Sequence, residues 1–264
     1  MKTKLTTQPS SLLADGSLQL HAPHSWAELT QDQLRYVLTL LAMGWPEWHA
    51  RTYLFARLTG TKVLNYKKDG WLCETTTDQG KTIRFFLQLW QVQSFCDCFD
   101  FVFDGQGADN RLDHIGPYHA VDVELHGFPF INYLVCDNYF QQFLESDQTS
   151  DQPLREMARI LYLNDEGNEP DTIQCSPAEL MGVFLWFMFI KNNFSKAFPH
   201  LFKPAAPHTE FDSTEAMNAQ IRALTGGDIT KEQTIQQSDV WRALTELDAK
   251  AREAEELNNK LKTS

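Results

Sequence analysis

The sequence lacks the short motifs that mark the common enzyme sites. It has no Walker A loop, no G-x-G-x-x-G, no H-E-x-x-H and no G-x-S-x-G. These motifs position phosphates, dinucleotides, zinc or a nucleophilic serine, so their absence argues against those chemistries while leaving an enzyme without a recognised motif as an alternative. We therefore assign no catalytic residue, no metal ligand and no cofactor from the sequence, and we favour a non-enzymatic protein.

Long hydrophobic runs are also missing. The most apolar stretch, residues 180–190, is well short of the roughly 20 residues that cross a bilayer, and it predicts a core helix instead. The first ten residues are polar and do not resemble a secretory signal. We expect no membrane association and a cytoplasmic protein.

Cysteine is sparse and irregularly placed. The chain has five cysteines, an odd number without the spacing of a disulfide scaffold, which is typical of reduced thiols inside a cell. Cys96-Asp-Cys98 is a C-x-C pair, but no second pair follows at zinc-finger spacing. We expect buried thiols here and no metal site.

Charge is unevenly distributed along the chain, whose net charge is -12. Residues 97–171 contain 16 Asp/Glu and 3 Lys/Arg, whereas residues 1–96 contain 7 Asp/Glu and 10 Lys/Arg. An acidic block repels nucleic-acid phosphates and favours basic partners, including the more basic first third of a second copy. We therefore expect no nucleic acid as a partner.

The first third of the chain predicts a helical hairpin followed by a small sheet. Ser25 and Glu28 have the spacing of a capping box, Gly44 ends the first helix and Pro46 begins the second, which runs to Gly60. Three short segments rich in strand-forming residues come next, and an Asp-Gly pair suits a tight turn between the first two. The predicted strands are 62–66, 71–76 and 81–87.

The remaining pattern is mainly helical. One further strand is predicted where apolar and polar residues alternate, and a proline-containing segment predicts a linker. The predicted helices are 90–103, 130–144, 154–163 and 177–198, and the further strand is 118–125. The fold class is mainly α with a small antiparallel β-sheet (α+β), a helical core and a C-terminal helical arm. The predicted regions are a flexible N-terminus at 1–24, a core at 25–198, a linker at 199–214 and an arm at 215–264.

Four candidate sites can be drawn from the sequence, most of them with a plainer alternative. Asp97, Asp100 and Asp104 would share one face of a helix and bind a hard cation, or form a solvated face. The segment 119–124 offers His119, Asp122 and Glu124, but the strand alternation separates the histidine from the two acids. His49, beside Trp48, fits a helix surface better than a base. The aromatic cluster of residues 184–198 would line a ligand pocket or, more commonly, fill a core.

The C-terminal segment predicts capped helices with an apolar seam. Thr230 to Gln233 fits a capping box, and Ser238 with Asp239 can cap the last helix. The seam alternates steps of four and three residues, which is heptad spacing, and a polar residue within it can fix the register. The predicted interaction residues are Val240, Trp241, Leu244, Leu247, Ala251, Ala254, Leu257, Asn258 and Leu261. This helix either folds back on its own core or contacts a partner.

Two stretches of this segment carry a family resemblance. Residues 217–232 and 241–256 resemble uncharacterised proteins encoded by prophages and mobile elements of gut bacteria, and they are similar in style to the C-terminal part of phage tail-assembly or minor structural proteins. The resemblance implies a non-enzymatic assembly protein that binds a protein partner or itself through the arm, in the cytoplasm or in a virion. The alternatives are an enzyme that uses acidic residues with or without a metal, and a small-ligand binding module with an aromatic pocket.

Overall fold

The protein is described from a computed structural model, which covers residues 10–13, 17–146, 149–203 and 213–263. The contacts divide the chain into two compact units. The first unit comprises Met1–Leu112 and Pro177–Gly182, and the second comprises Asp113–Ser176 and Val183–Ser264.

The first unit opens with helices whose start differs from the prediction. After a short pair of strands, β1 (Ser11–Leu12) and β2 (Leu18–Gln19), a 3-10 turn precedes α1 (Gln31–Ala42) and α2 (Glu47–Leu58). The predicted capping box at Ser25 is wrong, because the chain becomes extended at Leu29 and restarts at Thr30. Thr30 and Gln33 form the capping box of α1 instead, each side chain accepting from the other's backbone amide. The predicted helical hairpin is confirmed.

A three-stranded antiparallel sheet follows the hairpin. It contains β3 (Lys62–Lys67), β4 (Gly70–Thr76) and β5 (Thr82–Gln88) in the order β3-β4-β5, close to the predicted segments. A Cβ on Gly70 would lie 2.0 Å from the Leu87 carbonyl oxygen, so only glycine fits this turn. The order leaves β3 at one edge of the sheet.

The first unit then contains a helix shorter than predicted. Helix α3 (Leu89–Asp97) ends at Asp97, and a separate 3-10 turn covers Asp100–Val102. Phe99 leaves the helical conformation, and its side chain is fully buried. Burial of this ring redirects the chain, so the prediction of one helix over 90–103 is wrong.

The second unit begins with a small sheet and two helices. Strands β6 (His114–Ile115) and β7 (Tyr118–Ala120) precede α4 (Phe130–Glu145) and α5 (Gln152–Leu161), and β8 (Tyr162–Leu163) pairs with β7. The predicted strand 118–125 is wrong beyond Ala120. The Asp122 carboxylate accepts from the Glu124 and His126 amides, and Leu125 has a φ of 64°, so the chain turns there.

Four more helices complete the described part of the chain. They are α6 (Pro177–Ala197), α7 (Ser213–Thr225), α8 (Glu232–Gln236) and α9 (Val240–Thr263). Before α8, the Asp228 side chain caps a 3-10 turn by accepting from the Thr230 amide, so the predicted capping box at Thr230 is wrong. The Asp239 carboxylate accepts from the Arg242 amide and caps α9, as predicted.

The predicted α+β class, mainly helical with small antiparallel sheets, is confirmed. Across the described ranges, no helix is both long enough and apolar enough to cross a membrane. Most of the predicted linker, residues 204–212, lies outside the described residues. The predicted boundaries at 25, 199 and 215 therefore stay predictions.

Candidate functional site

The predicted cation face is not assembled. Because α3 ends at Asp97, the three aspartates do not share a helical face. Asp97 accepts from the Gln93 amide side chain at 2.6 Å, Asp100 pairs with Arg51 at 2.6 Å, and Asp104 accepts from the Gln106 backbone. Each carboxylate is thus used in a local contact of the first unit.

The three candidates around His119 are also separated. The His119 Nε2 lies 2.8 Å from an Asp165 oxygen, whereas the Glu124 carboxylate lies 3.2 Å from the His126 Nε2. Asp122 holds the turn already described. Within the described ranges, no group of three or more His, Cys, Asp or Glu residues could hold a metal ion.

No disulfide joins the cysteines in the described part of the chain. Cys96 is buried, and its burial raises the pKa of the thiol to about 11. Cys98 is half-buried, with burial and the neighbouring aspartates raising its pKa, and its Sγ lies 3.4 Å from the Ser94 carbonyl oxygen. Thiols held in the protonated form are poor nucleophiles, so neither is a strong candidate for catalysis.

The aromatic cluster of α6 belongs to the core of the second unit. Trp186, Phe187, Phe194 and Phe198 are buried, and the Trp186 indole donates to the Val123 carbonyl oxygen at 2.8 Å. These rings pack among themselves and against rings of α4, with Phe140 and Phe184 stacked at 5.6 Å. The core interpretation of this cluster is confirmed.

The first half of the predicted arm seam packs within its own unit. Val240, Leu244 and Leu247 are buried. The start of α9 is tied to the start of α4: the Val240 amide donates to the Phe128 carbonyl oxygen, and the Phe130 amide donates to the Ser238 carbonyl oxygen. This half of the seam is therefore occupied by the protein's own residues.

Trp241, at the start of α9, makes further contacts within the second unit. Its indole donates to the Glu124 carbonyl oxygen at 2.7 Å, and its ring lies 5.1 Å from that of Phe194 and 5.6 Å from that of Phe198. The His126 ring stacks on it at 5.1 Å. Trp241 is half-buried, and its ring lies within the second unit, while its predicted role in an interaction stays a prediction.

The second half of the seam is progressively exposed. The Asp248 carboxylate accepts from the His200 and Leu201 amides, and Glu255 pairs with His200 and Lys203. Beyond these contacts the seam faces solvent. Ala251 is half-buried, Ala254 and Asn258 are exposed, and Leu257 and Leu261 are 63% and 70% exposed.

A wide opening lies in the first unit, between α1, α2 and the sheet. This aromatic groove has a volume of about 1000 Å³. Its rings come from the middle of α1, the segment between α1 and α2, the outer face of α2, and the strands β3 and β4. They are Tyr36, Trp45, Trp48, Tyr53, Tyr66 and Trp71. An open aromatic surface of this size is the strongest candidate site in the described part of the chain.

Helix α2 forms one wall because it has two apolar faces. Ala50, Leu54, Phe55 and Leu58 are buried against the core. The second face contains Trp48, His49, Thr52, Tyr53 and Ala56, which follow the spacing i, i+1, i+4, i+5 and i+8, and Trp45 lies two residues before the helix. The rings contact one another: Trp48 lies 3.5 Å from His49, and Trp45 lies 5.1 Å from Tyr53.

The charges at the aromatic groove are positive. Arg57 and Lys62 line it, and its lining contains no Asp or Glu. The Arg57 guanidinium lies 5.6 Å from the centre of the Tyr36 ring. Burial raises the pKa of the Tyr36 hydroxyl, and the positive charge of Arg57 partly offsets this, so Tyr36 stays a neutral hydrogen-bonding group.

The opposite wall of the aromatic groove is an edge strand. Lys62, Val63 and Tyr66 of β3 line it, and Tyr66 packs edge-on against Trp71 at 5.2 Å. In the described structure β3 pairs with β4 alone, and their register shifts between Val63 and Asn65. The groove therefore combines exposed rings, positive side chains and a strand edge.

No protein family, curated protein or solved structure matches this chain. The aromatic groove was not predicted from the sequence, because the apolar residues of α2 do not by themselves show which of them the core leaves exposed. Sorting these residues into two helical faces is the sequence signal that indicates the groove.

Proposed function

We propose that this chain is a non-enzymatic interaction protein that binds a segment of a partner protein in the aromatic groove. The observation that supports this is the exposure of four large rings in one place. Trp45, Trp48, Tyr53 and Tyr66 are 41%, 65%, 48% and 65% exposed. Tryptophan, tyrosine and arginine are the residues most enriched at the energetic centres of protein interfaces.

The form of the groove favours a polypeptide. It is an open trough with a strand along one wall, so a ligand would reach backbone groups as well as rings. Rings supply apolar contact at low entropic cost, since each has only two side-chain torsions. A chain segment laid along the trough would cover several rings at once.

The resemblance of the C-terminal residues supports an assembly role in a phage-tail context, in the cytoplasm or in a virion. That context stays a proposal, and the identity of the neighbouring genes tests it. Tail or capsid genes beside this one would support it, and a metabolic operon would contradict it.

A second candidate is self-association through the end of α9. The exposure of Leu257 and Leu261, four residues apart on one face, favours it. Two leucines bury little area, so we expect a weak dimer. Sedimentation equilibrium of the protein and of a Leu257→Ser, Leu261→Ser variant tests this, because only the unchanged protein should dimerise at high concentration.

Peptide selection tests the main proposal. A random displayed peptide library is selected on the full-length protein, and the enriched peptides are titrated against Trp48→Ala and Trp90→Ala variants. Trp90 is the matched control, because it is 66% exposed but lies outside the aromatic groove. We expect Trp90→Ala to keep binding and Trp48→Ala to lose about tenfold or more. Failure to enrich any peptide, or equal binding by Trp48→Ala, would contradict the proposal.

A further inference from the structure

The geometry of the first unit points to a particular ligand for the aromatic groove. We propose that the bound segment is an extended acidic peptide that adds a strand to the open edge of β3. This inference rests on the proposed function and specifies the chemistry and conformation of the partner.

The first support is the strand edge itself. Among the described strands β3 has β4 on one side and no partner on the other. In an antiparallel ladder the residues alternate, so every second residue of an edge strand directs its N–H and C=O groups outward. An extended peptide can satisfy these groups through main-chain hydrogen bonds, which is the mode called β-augmentation.

The edge carries features that prevent pairing with copies of itself. Lysines occupy both ends of the strand, Lys62 and Lys67, and the register shift between Val63 and Asn65 interrupts its regularity. Like charges on two β3 edges would repel each other. A peptide of opposite charge meets no such repulsion, so the same lysines select an acidic partner.

The second support is the charge around the aromatic groove. From Trp48 to Lys68 the sequence has five Lys/Arg and no Asp/Glu. Arg51 is engaged with Glu47 and Asp100, which leaves Arg57, Lys62, Lys67 and Lys68 as the positive set along α2 and β3. Such a set raises the association rate of acidic ligands and lowers that of basic ones.

The rings supply the third support. Successive side chains of a bound strand point to opposite faces, so every second side chain would face α2. There it would meet Trp48 and Tyr53, which are exposed and have room for an aromatic or β-branched residue. The expected ligand alternates such residues with Asp or Glu.

A single-stranded nucleic acid would also use rings and positive side chains. The protein's net charge of -12 opposes nucleic-acid binding. The N–H and C=O groups at the edge of β3 also match the backbone of a peptide strand, whereas stacked bases do not require them. We therefore argue for a peptide and make an oligonucleotide an arm of the test.

The experiment takes the peptides enriched on the full-length protein and changes one property at a time. One set has Asp and Glu replaced by Asn and Gln, a second has alternate backbone amides N-methylated, and a 12-nucleotide oligo-dT is titrated alongside. The protein variants are Arg57→Glu with Lys62→Glu, and Lys81→Glu as the control, since Lys81 is exposed and lies outside the groove.

We expect the unmodified acidic peptides to bind, and each peptide change to weaken binding about tenfold or more. The Arg57→Glu, Lys62→Glu variant should lose as much, and Lys81→Glu should change affinity less than twofold. Added salt should weaken binding of the acidic peptides.

The outcomes separate this inference from the proposed function. Enriched peptides that require Trp48 are compared before and after Asp and Glu are neutralised, and before and after N-methylation. Unchanged binding in either case would contradict the inference of an acidic peptide that adds a strand, but would leave the aromatic groove as a peptide-binding site. If oligo-dT binds and no peptide does, both proposals fall. If no probe binds, the proposed function fails and the inference with it.

Discussion

Two sets of aromatic side chains of similar size have opposite environments in the two units. In the first unit, Trp48 and Tyr66 are each 65% exposed, whereas in the second unit Trp186 and Tyr133 are each 1% exposed. The buried set fills a core between helices, and the exposed set lines a groove. The difference shows that aromatic density along a sequence does not by itself distinguish buried rings from exposed ones.

The surroundings of each set explain the difference. In α6 the aromatic residues occur on nearly all sides of the helix, which suits a helix enclosed by protein. In α2 the exposed rings are interspersed with Thr52, Arg57 and other polar residues. The buried face of this helix is formed by other residues and includes none of the exposed rings. These exposed rings, which lie outside the core, are the surface on which the proposed ligand would bind.

The largest expected effect compares one tryptophan from each set. Trp186→Ala should lower the free energy of unfolding by about 3–5 kcal/mol, because it leaves a large cavity and an unpaired Val123 carbonyl. Trp48→Ala should change it by less than about 0.5 kcal/mol. Urea denaturation measures both, and a large loss of stability for Trp48→Ala would show that the groove ring is structural.

The same comparison can be made along α9. Leu247→Ala should cost about 2–4 kcal/mol, because Leu247 is 4% exposed within the second unit. Leu261→Ala should cost less than about 0.5 kcal/mol, since its side chain is 70% exposed. Thermal and urea unfolding check the pair. Equal losses would contradict the division of α9 into a packed half and an exposed half.

A smaller change in the free energy of unfolding is expected for Tyr133, a residue of the buried aromatic set. The Tyr133 hydroxyl is fully buried and has no hydrogen-bond partner among the described residues, and burial raises its pKa well above the usual value. Removing an unsatisfied buried hydroxyl relieves its desolvation cost, so Tyr133→Phe should stabilise the protein by about 1 kcal/mol. Unfolding curves measure the change, and a loss of 1 kcal/mol or more would indicate a partner for this hydroxyl.

The last prediction concerns the rates at which the thiols react, and it involves no change in stability. Because burial raises the pKa of Cys96 to about 11, it stays protonated at pH 8 and reacts slowly with iodoacetamide. Half-buried Cys175 should react first. The rate at Cys96 should rise as the pH increases toward 11. Mass spectrometry of alkylated peptides over time distinguishes the two, and fast labelling of Cys96 at pH 8 would contradict its burial.

Much of the fold could be predicted because its signals are local. The Asp-Gly turn at residues 69–70 and the proline at the start of α6 each act through their own backbone, and both elements were predicted within a residue or two. The failures involve distant contacts. Burial of Phe99 ends α3 early, and the side chain of Asp122 replaces the end of a strand with a turn.

The candidate site was harder to predict for the same reason. The sequence shows that α2 has many apolar residues, but only the packed structure shows which of them the core leaves outside. The arm seam was found by its heptad spacing, and its burial in the first half depends on Phe128 and Phe194, more than 40 residues away in the chain. Contacts at that separation leave no local pattern.

The most direct test of the central claim is amide hydrogen exchange of the full-length protein with and without an enriched acidic peptide. The account predicts slower exchange at alternate amides of β3 (Lys62–Lys67) and no change at β7 (Tyr118–Ala120), which already has a strand on each side. A peptide that binds while the exchange of every β3 amide stays unchanged would contradict it.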